Sequence, residues 1–265
     1  MTFMSSIGLI ILLQYISIIC AYQDVIYVKS IVFWNNLRTK FESVNANFNV
    51  YYQPVDDDWR QKTLQLLNLS SNKLKLNNVT KFSNNEILLK YLIPNDIFRT
   101  SKHNCLYKSL SYILFGNENE YYYLQKKIMD YLKTNEFPVD FVGGQEMFKL
   151  YLDQLIQRNE YQESVIKGNI NNENTSEICN GMVEIMGAAF YLNTCILVYY
   201  EKYEDWILYH RSWPNCDNVN WENKKCIYLF DDGPISAINS ISVHEKLLTH
   251  PNDKKCNKYR IIETL

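Results

Sequence analysis

The sequence predicts an α+β fold in which helices precede most of a small sheet. Two patterns along the chain support this prediction. Between residues 104 and 193, apolar side chains recur three and four residues apart, which is the spacing of amphipathic helices. After residue 194, short apolar runs bounded by polar turns replace that spacing, as expected for strands. A hydrophobic fraction of 47% over 265 residues is enough for one sizeable core. Helices packed around one central sheet are therefore expected.

The helices can be placed in order along the chain. Pro54 and Val55, followed by three aspartates, predict a turn into a first helix near Trp59. A second helix begins at Cys105 and ends at Gly116. The three that follow are a helix over about 120–134, one marked by Met147, Leu150, Tyr151, Leu155 and Ile156, and one over 181–193. Segment 22–50 shows no clear pattern, whereas 70–85 and 167–179 are polar and are expected to be loops.

The strand candidates lie mainly at the end of the chain, at 195–200, 206–209, 225–230 and 238–243. The first of them has apolar residues on both faces, which is typical of a strand buried on both sides. Asp231-Asp232-Gly233-Pro234 predicts the turn between the last two strands. An earlier apolar run, 87–93, ends at Pro94.

The first residues of the chain resemble a leader. Residues 7–20 are almost wholly apolar, too few to span a bilayer comfortably but sufficient for the core of a signal peptide cut after Cys20 or Ala21. Residues 1–6 carry no Lys or Arg, so a buried strand or helix at the domain edge is the alternative. Glycosylation sequons at Asn68, Asn78 and Asn174 add weak support. We expect a protein that is secreted or enters the secretory pathway, and otherwise a cytoplasmic one.

Seven cysteines bear on the same question. Loss of Cys20 with a signal peptide leaves six, enough for three bridges, or for two with Cys105 and one other cysteine free. Cys216 and Cys256 lie in polar segments and are expected to pair before Cys195 and Cys226, which lie in apolar runs typical of core residues.

Charge and composition exclude several classes of partner. The net charge of −2 gives no basic surface for nucleic acid, so nucleic acid is not an expected partner. No CxxC pair is present, so a zinc ribbon is not expected, and no cofactor or metal site is predicted. We expect a monomer that has no membrane contact once the leader has been removed.

Cys105 is the strongest candidate for a chemical role. It stands at the first turn of an amphipathic helix whose apolar face carries Leu106, Leu110 and Leu114. Unpaired backbone N–H groups and the helix dipole favour a thiolate there, which primes a cysteine for attack on a carbonyl. The alternative is a small buried residue at the start of a helix.

These elements together resemble the ovarian tumour (OTU) family of cysteine peptidases. The family opens with Asp-Gly-Asn-Cys-Leu-(Phe/Tyr)-Arg, and this chain reads Lys102-His103-Asn104-Cys105-Leu106-Tyr107-Lys108, continuing into Ser109-Leu110-Ser111-Tyr112. Gly181-Met182-Val183-Glu184-Ile185-Met186-Gly187-Ala188-Ala189 is similar to the family segment Gly-Thr-Glu-Val-Glu-Ile-x-Ala-Ala. The three strand candidates 195–200, 206–209 and 225–230 then follow in the family's order. The resemblance covers about residues 51–243.

The apolar N-terminal run and the resemblance together imply a domain organisation. Residues 1–21 form the signal peptide, 22–92 a lead-in segment partly packed on the domain, 93–245 the OTU-like domain, and 246–265 a polar tail. The resemblance also implies a ubiquitin-directed peptidase ancestor, with ubiquitin or a ubiquitin-like protein as the candidate partner.

The resemblance implies Cys105 as the nucleophile, with Asn104 beside it as a further candidate catalytic residue. The other family positions differ: Lys102 replaces the motif aspartate, His103 replaces the glycine, and Ala237 overlays the catalytic histidine. A base could instead come from His244, next to Glu245, if the loop were longer. The alternative for His244 is a solvent-exposed residue. His103 is too close to Cys105 for a usual dyad but could shift the pKa of its thiol.

Three hypotheses follow. The first is a binding or scaffold protein on a catalytically impaired OTU-like domain, because loss of a general base typically lowers the rate about 10²- to 10⁴-fold. The second is an active deubiquitinating thiol peptidase that uses Cys105 and His244. The third is a disulfide-stabilised secreted protein in which Cys105 is oxidised.

Overall fold

The structure is a computed structural model. It describes residues 25–34, 38–68, 88–100, 104–134, 136–166, 181–232 and 235–243. The expected leader, the loops 70–85 and 167–179, and the polar tail lie outside these residues. No helix among the described residues is both long enough and apolar enough to cross a membrane.

The described strands form one mixed sheet of seven, larger than the four expected from the end of the chain, with spatial order β2-β1-β5-β4-β6-β7-β3. The β1–β5 and β4–β6 pairs are parallel and the others are antiparallel. The strands are β1 Val25–Trp34, β2 Arg38–Asn45, β3 Leu92–Phe98, β4 Cys195–Tyr200, β5 Asp205–Tyr209, β6 Cys226–Asp231 and β7 Ile235–Val243.

Five α-helices accompany the sheet in the described part of the chain, so the predicted α+β class is confirmed. They are α1 Asp57–Leu66, α2 Cys105–Phe115, α3 Tyr121–Leu132, α4 Gln145–Ile166 and α5 Met182–Tyr191. Helices α2 to α5 lie where the apolar spacing predicted them, because that spacing gives each helix one face to bury, and α1 follows the turn predicted at Pro54 and Val55.

Local sequence explains where these helices begin and end. The Asp56 carboxylate accepts a hydrogen bond of 3.0 Å from the Trp59 N–H and so caps the start of α1. Gly116 ends α2 in the left-handed conformation (φ 74°), and its N–H donates to the Tyr112 carbonyl at 2.8 Å. The helix that carries Cys105 therefore has the end that its sequence predicted.

The two faces of the sheet are covered differently. Helices α2, α3 and α5 pack on one face, where Leu106, Ile128 and Ile185 are fully buried. The other face is covered by irregular segments that contribute Tyr52 and Trp221. Strand β4 lies between these layers and sends side chains into both cores, as its continuous apolar run predicted.

The segment without a clear sequence pattern is part of the sheet. Strand β1 pairs in parallel with β5, and β2 adds an antiparallel edge beyond it. Residues 51–55 run along the start of β6, where the Val55 N–H donates to the Cys226 carbonyl and the Cys226 N–H donates to the Gln53 carbonyl. Residues expected to be a lead-in therefore supply two strands and α1 to the same layers. The predicted domain boundaries remain a prediction.

The expected cysteine pairing is wrong. Cys195 and Cys226 stand opposite each other in the parallel β4–β6 register and form a disulfide with a Cα–Cα distance of 4.7 Å. Cys216, which was expected to pair first, is free and buried. The apolar runs bury both partners, but the strand register also brings them within bonding distance, and sequence does not reveal that register.

Candidate functional site

Helix α2 places Cys105 at its first residue, directly after an unusual backbone position. Asn104 adopts the left-handed conformation (φ 56°, ψ 37°), which asparagine tolerates better than most residues. Its side chain is buried, and its Oδ1 accepts a hydrogen bond of 3.4 Å from the amide of Gln125 on α3. Asn104 therefore fixes the chain direction as it enters the helix.

Cys105 itself is fully buried and disulfide-bonded. Its partner is not one of the other described cysteines, because Cys195 bonds Cys226 and Cys216 is free. A sulfur held in a disulfide cannot attack a carbonyl, since nucleophilic attack requires the thiolate. In this state the first turn of α2 therefore presents no nucleophile.

One turn further on, α2 is anchored to the start of β7. The hydroxyl of Ser109, which is fully buried, donates to the Ile235 carbonyl at 3.1 Å. The Thr100 hydroxyl donates to the same carbonyl, also at 3.1 Å. On the same helix, the Tyr112 ring stacks on Phe98 of β3 with a centroid distance of 3.7 Å. Helix α2 therefore lies against the end of the sheet where β3 finishes and β7 begins.

Ala237 lies in β7, two residues after Ile235. It pairs with Leu229 of β6 on one side and with Phe98 of β3 on the other, and it is buried. Ile235 belongs to the helix-side core, so Ala237 faces the same side of the strand. The position that the resemblance assigns to a histidine is therefore close to α2, but it holds a methyl group that cannot accept a proton.

The alternative base, His244, lies outside the described residues, as do Glu245, His103 and Lys102. The last described residue before His244 is Val243, which pairs with Leu92 at the far end of β7. Val243 lies eight residue steps along extended strand from Ile235, a distance of about 26 Å. The strand therefore leads away from the start of α2, and the role of His244 stays a prediction.

The structure adds an acidic residue that the sequence assigned only to a turn. Asp231 ends β6, opposite Ile235 in the β6–β7 hairpin and opposite Tyr200 in the β4 register. Burial, followed by the negative charge of Asp231, raises the pKa of the Tyr200 hydroxyl. Because the Ile235 carbonyl also accepts from Ser109, Asp231 lies at the end of the sheet against which α2 packs. Its place after a continuous apolar strand is the sequence signal that could have identified it.

A second cysteine and histidine lie in the layer on the other side of the sheet. Burial lowers the pKa of His210 to about 4, and its Nδ1 accepts a hydrogen bond of 3.0 Å from the Ser212 N–H. Burial, with a contribution from Asp217, raises the pKa of Cys216 to about 12. The Trp221 ring contacts His210 edge-on at 5.0 Å and donates to the Cys216 carbonyl at 3.0 Å. Both groups are therefore neutral members of an aromatic core.

A metal centre was not expected from the sequence. Among the described residues, no group of three or more His, Cys, Asp or Glu side chains is arranged to hold a metal ion.

Comparison with solved structures gives a distant similarity, whereas the other two comparisons find no match. No family model matches the chain. No curated protein matches it either. The chain is similar to the solved structure of the OTU domain of OTUD1, with 12% identity and a TM-score of 0.30, over 56% of this chain and 85% of that one.

Proposed function

We propose that this protein is a catalytically silent OTU-like domain that acts by binding a partner. One observation carries the proposal: Cys105, the residue in the nucleophile's place, is fully buried and held in a disulfide. Ala237 supports the proposal as well, because it occupies the strand position that the resemblance assigns to the catalytic histidine and has no titratable group. The scaffold around both residues, with its buried anchors at Ser109 and Asn104, is intact.

The energetics favour this hypothesis over an active peptidase. An active enzyme would need Cys105 reduced, exposed and deprotonated, with a base within hydrogen-bond reach. Reduction alone would leave a buried thiol and an alanine at the position expected for the base, and a missing general base costs about 10²- to 10⁴-fold in rate. Activity through His244 would require that residue to return to the start of α2 from the far end of β7.

The partner we propose is ubiquitin or a ubiquitin-like protein. This part of the proposal rests on the motif resemblance around Cys105 and on the order of the later elements. A surface large enough to bind ubiquitin does not depend on a working cysteine and base, so loss of catalysis leaves the binding of ubiquitin intact. We propose that the protein acts as a monomer.

The disulfides support the predicted export. Disulfides persist in oxidising compartments and are rare in the cytosol. The described residues include a disulfide between two strands and a second disulfide at Cys105. Together with the apolar segment 7–20, they favour a secreted or secretory-pathway protein over the cytoplasmic alternative.

The deciding experiment for catalysis uses ubiquitin with an electrophile at its C-terminus. The native chain and Cys105→Ala are incubated with this probe, each with and without a mild thiol reductant, and adducts are followed by mass. We expect no adduct in any of the four samples. An adduct on the native chain that is absent from Cys105→Ala would overturn the proposal, and His244→Ala would then test the base.

Binding and export need separate measurements. Titration of unmodified ubiquitin into labelled native chain should give saturable binding that is unchanged in Cys105→Ala, because the cysteine is not part of the interaction. Absence of binding would contradict the proposed partner. N-terminal sequencing of protein expressed in a secreting eukaryotic cell should show a mature end near residue 21, and an end at Met1 would contradict export.

A further inference from the structure

A cavity of about 290 Å³ lies between the end of α3 and the start of α4. Two phenylalanines, Phe137 and Phe148, form its floor, with parallel rings stacked at 4.9 Å. Each is only 3% exposed. Val139 and Leu152 line its sides. Neither Asn104, Cys105 nor Ala237 lines this cavity, so it is separate from the site described above.

The phenylalanine floor is held in place from below. The Phe137 ring also packs edge-on against Phe141, with a distance of 6.3 Å between ring centroids, and against Phe190 of α5, with a centroid distance of 6.1 Å. Because both of these partners are buried in the helix-side core, the floor is part of a packed layer and cannot collapse into the cavity. The cavity is therefore preformed, as ligand sites usually are.

The rim of the cavity is cationic. Lys133, directly after α3, and Lys149 on α4 both line it, and no acidic side chain among the residues that the structure describes does. Lys133 has an exposed contact of 3.9 Å with Asp130, and such surface pairs contribute little. Lys149 lies one residue after Phe148 and four before Asp153, and it shares its helix face with Leu152. A bound anion would therefore contact two ammonium groups. That of Lys133 is shared with Asp130, and that of Lys149 lies on the cavity face of α4.

We propose that this cavity binds a small carboxylate with an aromatic or branched apolar body. The apolar body would pack against the partly exposed Val139 and Leu152 above the phenylalanine floor, and the carboxylate would lie between Lys133 and Lys149. The size agrees with this assignment, because a cavity of about 150 Å³ can hold a single benzene ring and this one is larger and open on one side. A small-ligand site usually has an apolar floor with a few polar groups around it.

The test uses 3-phenylpropionate as the probe and 3-phenylpropanol as its uncharged counterpart, with the full chain and ligand-observed NMR. For a probe of this size we expect a dissociation constant on the order of 1 mM for the acid. The alcohol should bind roughly fivefold more weakly, since it lacks the charge-assisted contacts. Equal affinity for the two probes, or no saturable binding of the acid, would overturn the proposal.

Variants locate the site. Lys149→Gln should weaken binding of the acid about three- to tenfold and leave the alcohol unchanged. Lys126→Gln is the matched control, because Lys126 is exposed on α3 and does not line the cavity. An unchanged affinity of Lys149→Gln for the acid would contradict the proposal. A carboxylate of this kind is either the C-terminus of a peptide or a free small acid, and N-acetylphenylalanine distinguishes the two. Binding tighter than that of 3-phenylpropionate indicates a peptide C-terminus as the ligand, and weaker binding indicates a free small acid.

Discussion

Cysteine chemistry in this protein is decided by the surroundings of each residue. Cys105, Cys195 and Cys226 are in disulfides and have no thiol to titrate. Cys216 keeps its thiol but is buried, and burial raises its pKa to about 12, with Asp217 adding to the effect. Since reactivity needs the thiolate, the free thiol that the structure describes is an inert one.

We predict that Cys216 resists alkylation in the folded protein. With a pKa near 12 its thiolate fraction at pH 8 is about 10⁻⁴, compared with about a tenth for a thiol at 9.0. Iodoacetamide labelling followed by tryptic mapping of peptide 212–224 should show unmodified Cys216 in buffer and modified Cys216 in urea. Rapid labelling of that peptide from the native chain would show that the aromatic layer over Cys216 opens readily.

His210 gives the protein a pH dependence of known sign. Its pKa is lowered to about 4 by burial, with the charge of Lys224 acting in the same direction, from 6.5 in the unfolded chain. The unfolded state therefore binds more protons between these two values, so the free energy of unfolding falls as the pH falls from 6.5 to 4. Below pH 4, the decrease in the free energy of unfolding attributable to His210 reaches about 3 kcal/mol.

Urea unfolding of the native chain and His210→Gln at pH 7.5 and pH 4.5 isolates this contribution. Gln keeps a hydrogen-bonding group for the Ser212 N–H but does not titrate. The variant should lose less stability than the native chain between the two pH values. Equal losses would show that His210 is solvated when it becomes protonated.

At the scale of elements, α1 shows how one cap connects distant parts of the chain. Asp56 accepts from the Trp59 N–H and also contacts Lys225, the residue before β6. Burial alone would raise the pKa of the Asp56 carboxyl, but the hydrogen bonds from Lys225 and the Trp59 N–H lower it. The stability it provides is present above its ordinary pKa of 3.8 and is lost as the pH falls below that value.

We predict that Asp56→Ala lowers the free energy of unfolding by about 1–2 kcal/mol at pH 7, because α1 loses its cap. Asp58→Ala is the matched control, since Asp58 is an exposed aspartate in the first turn of the same helix with no capping contact. Urea denaturation of both variants at pH 7 gives the comparison. A loss for Asp58→Ala as large as that for Asp56→Ala would assign the effect to the helix dipole instead.

The helices were predictable because each buries one face at a regular spacing, and α2 also ends at a recognisable residue, Gly116. Strand β1 was not predictable for two reasons. It sends Tyr27 into one core and Val28 and Ile31 into the other, so no polar face marks it. A register irregularity between Val28 and Ser30 also breaks the alternation of period two.

The candidate site also has parts that were predictable from local sequence and parts that were not. Cys105 at the start of a helix and Asn104 before it follow from local pattern, and the structure places both there. That Asp231 lies opposite Ile235, whose carbonyl accepts from both Thr100 and Ser109, depends on strand pairing between distant segments. Local sequence does not encode such pairing, and the same is true of the Cys195–Cys226 register.

At the scale of the whole molecule, the centre of the sheet joins segments that are far apart in sequence. Residues 51–55 run beside β6, with the Gln53 N–H donating to the Tyr228 hydroxyl at 2.9 Å. Cys226 takes part in both this pairing and the disulfide to β4. The disulfide therefore connects the starts of two central strands, β4 and β6, at the point where residues 51–55 run beside β6.

We predict that this disulfide contributes substantially to stability. It closes a loop with a sequence separation of 31 residues, for which the entropy lost by the unfolded chain corresponds to about 3–4 kcal/mol. The double variant Cys195→Ala and Cys226→Ala, unfolded in urea without reductant so that the disulfide at Cys105 is retained, should lose stability of that size. Cys216→Ala is the control for removing a buried sulfur alone, and it should lose less. If the double variant matched the control, the β4–β6 ladder and the 51–55 segment would hold the sheet centre without the crosslink.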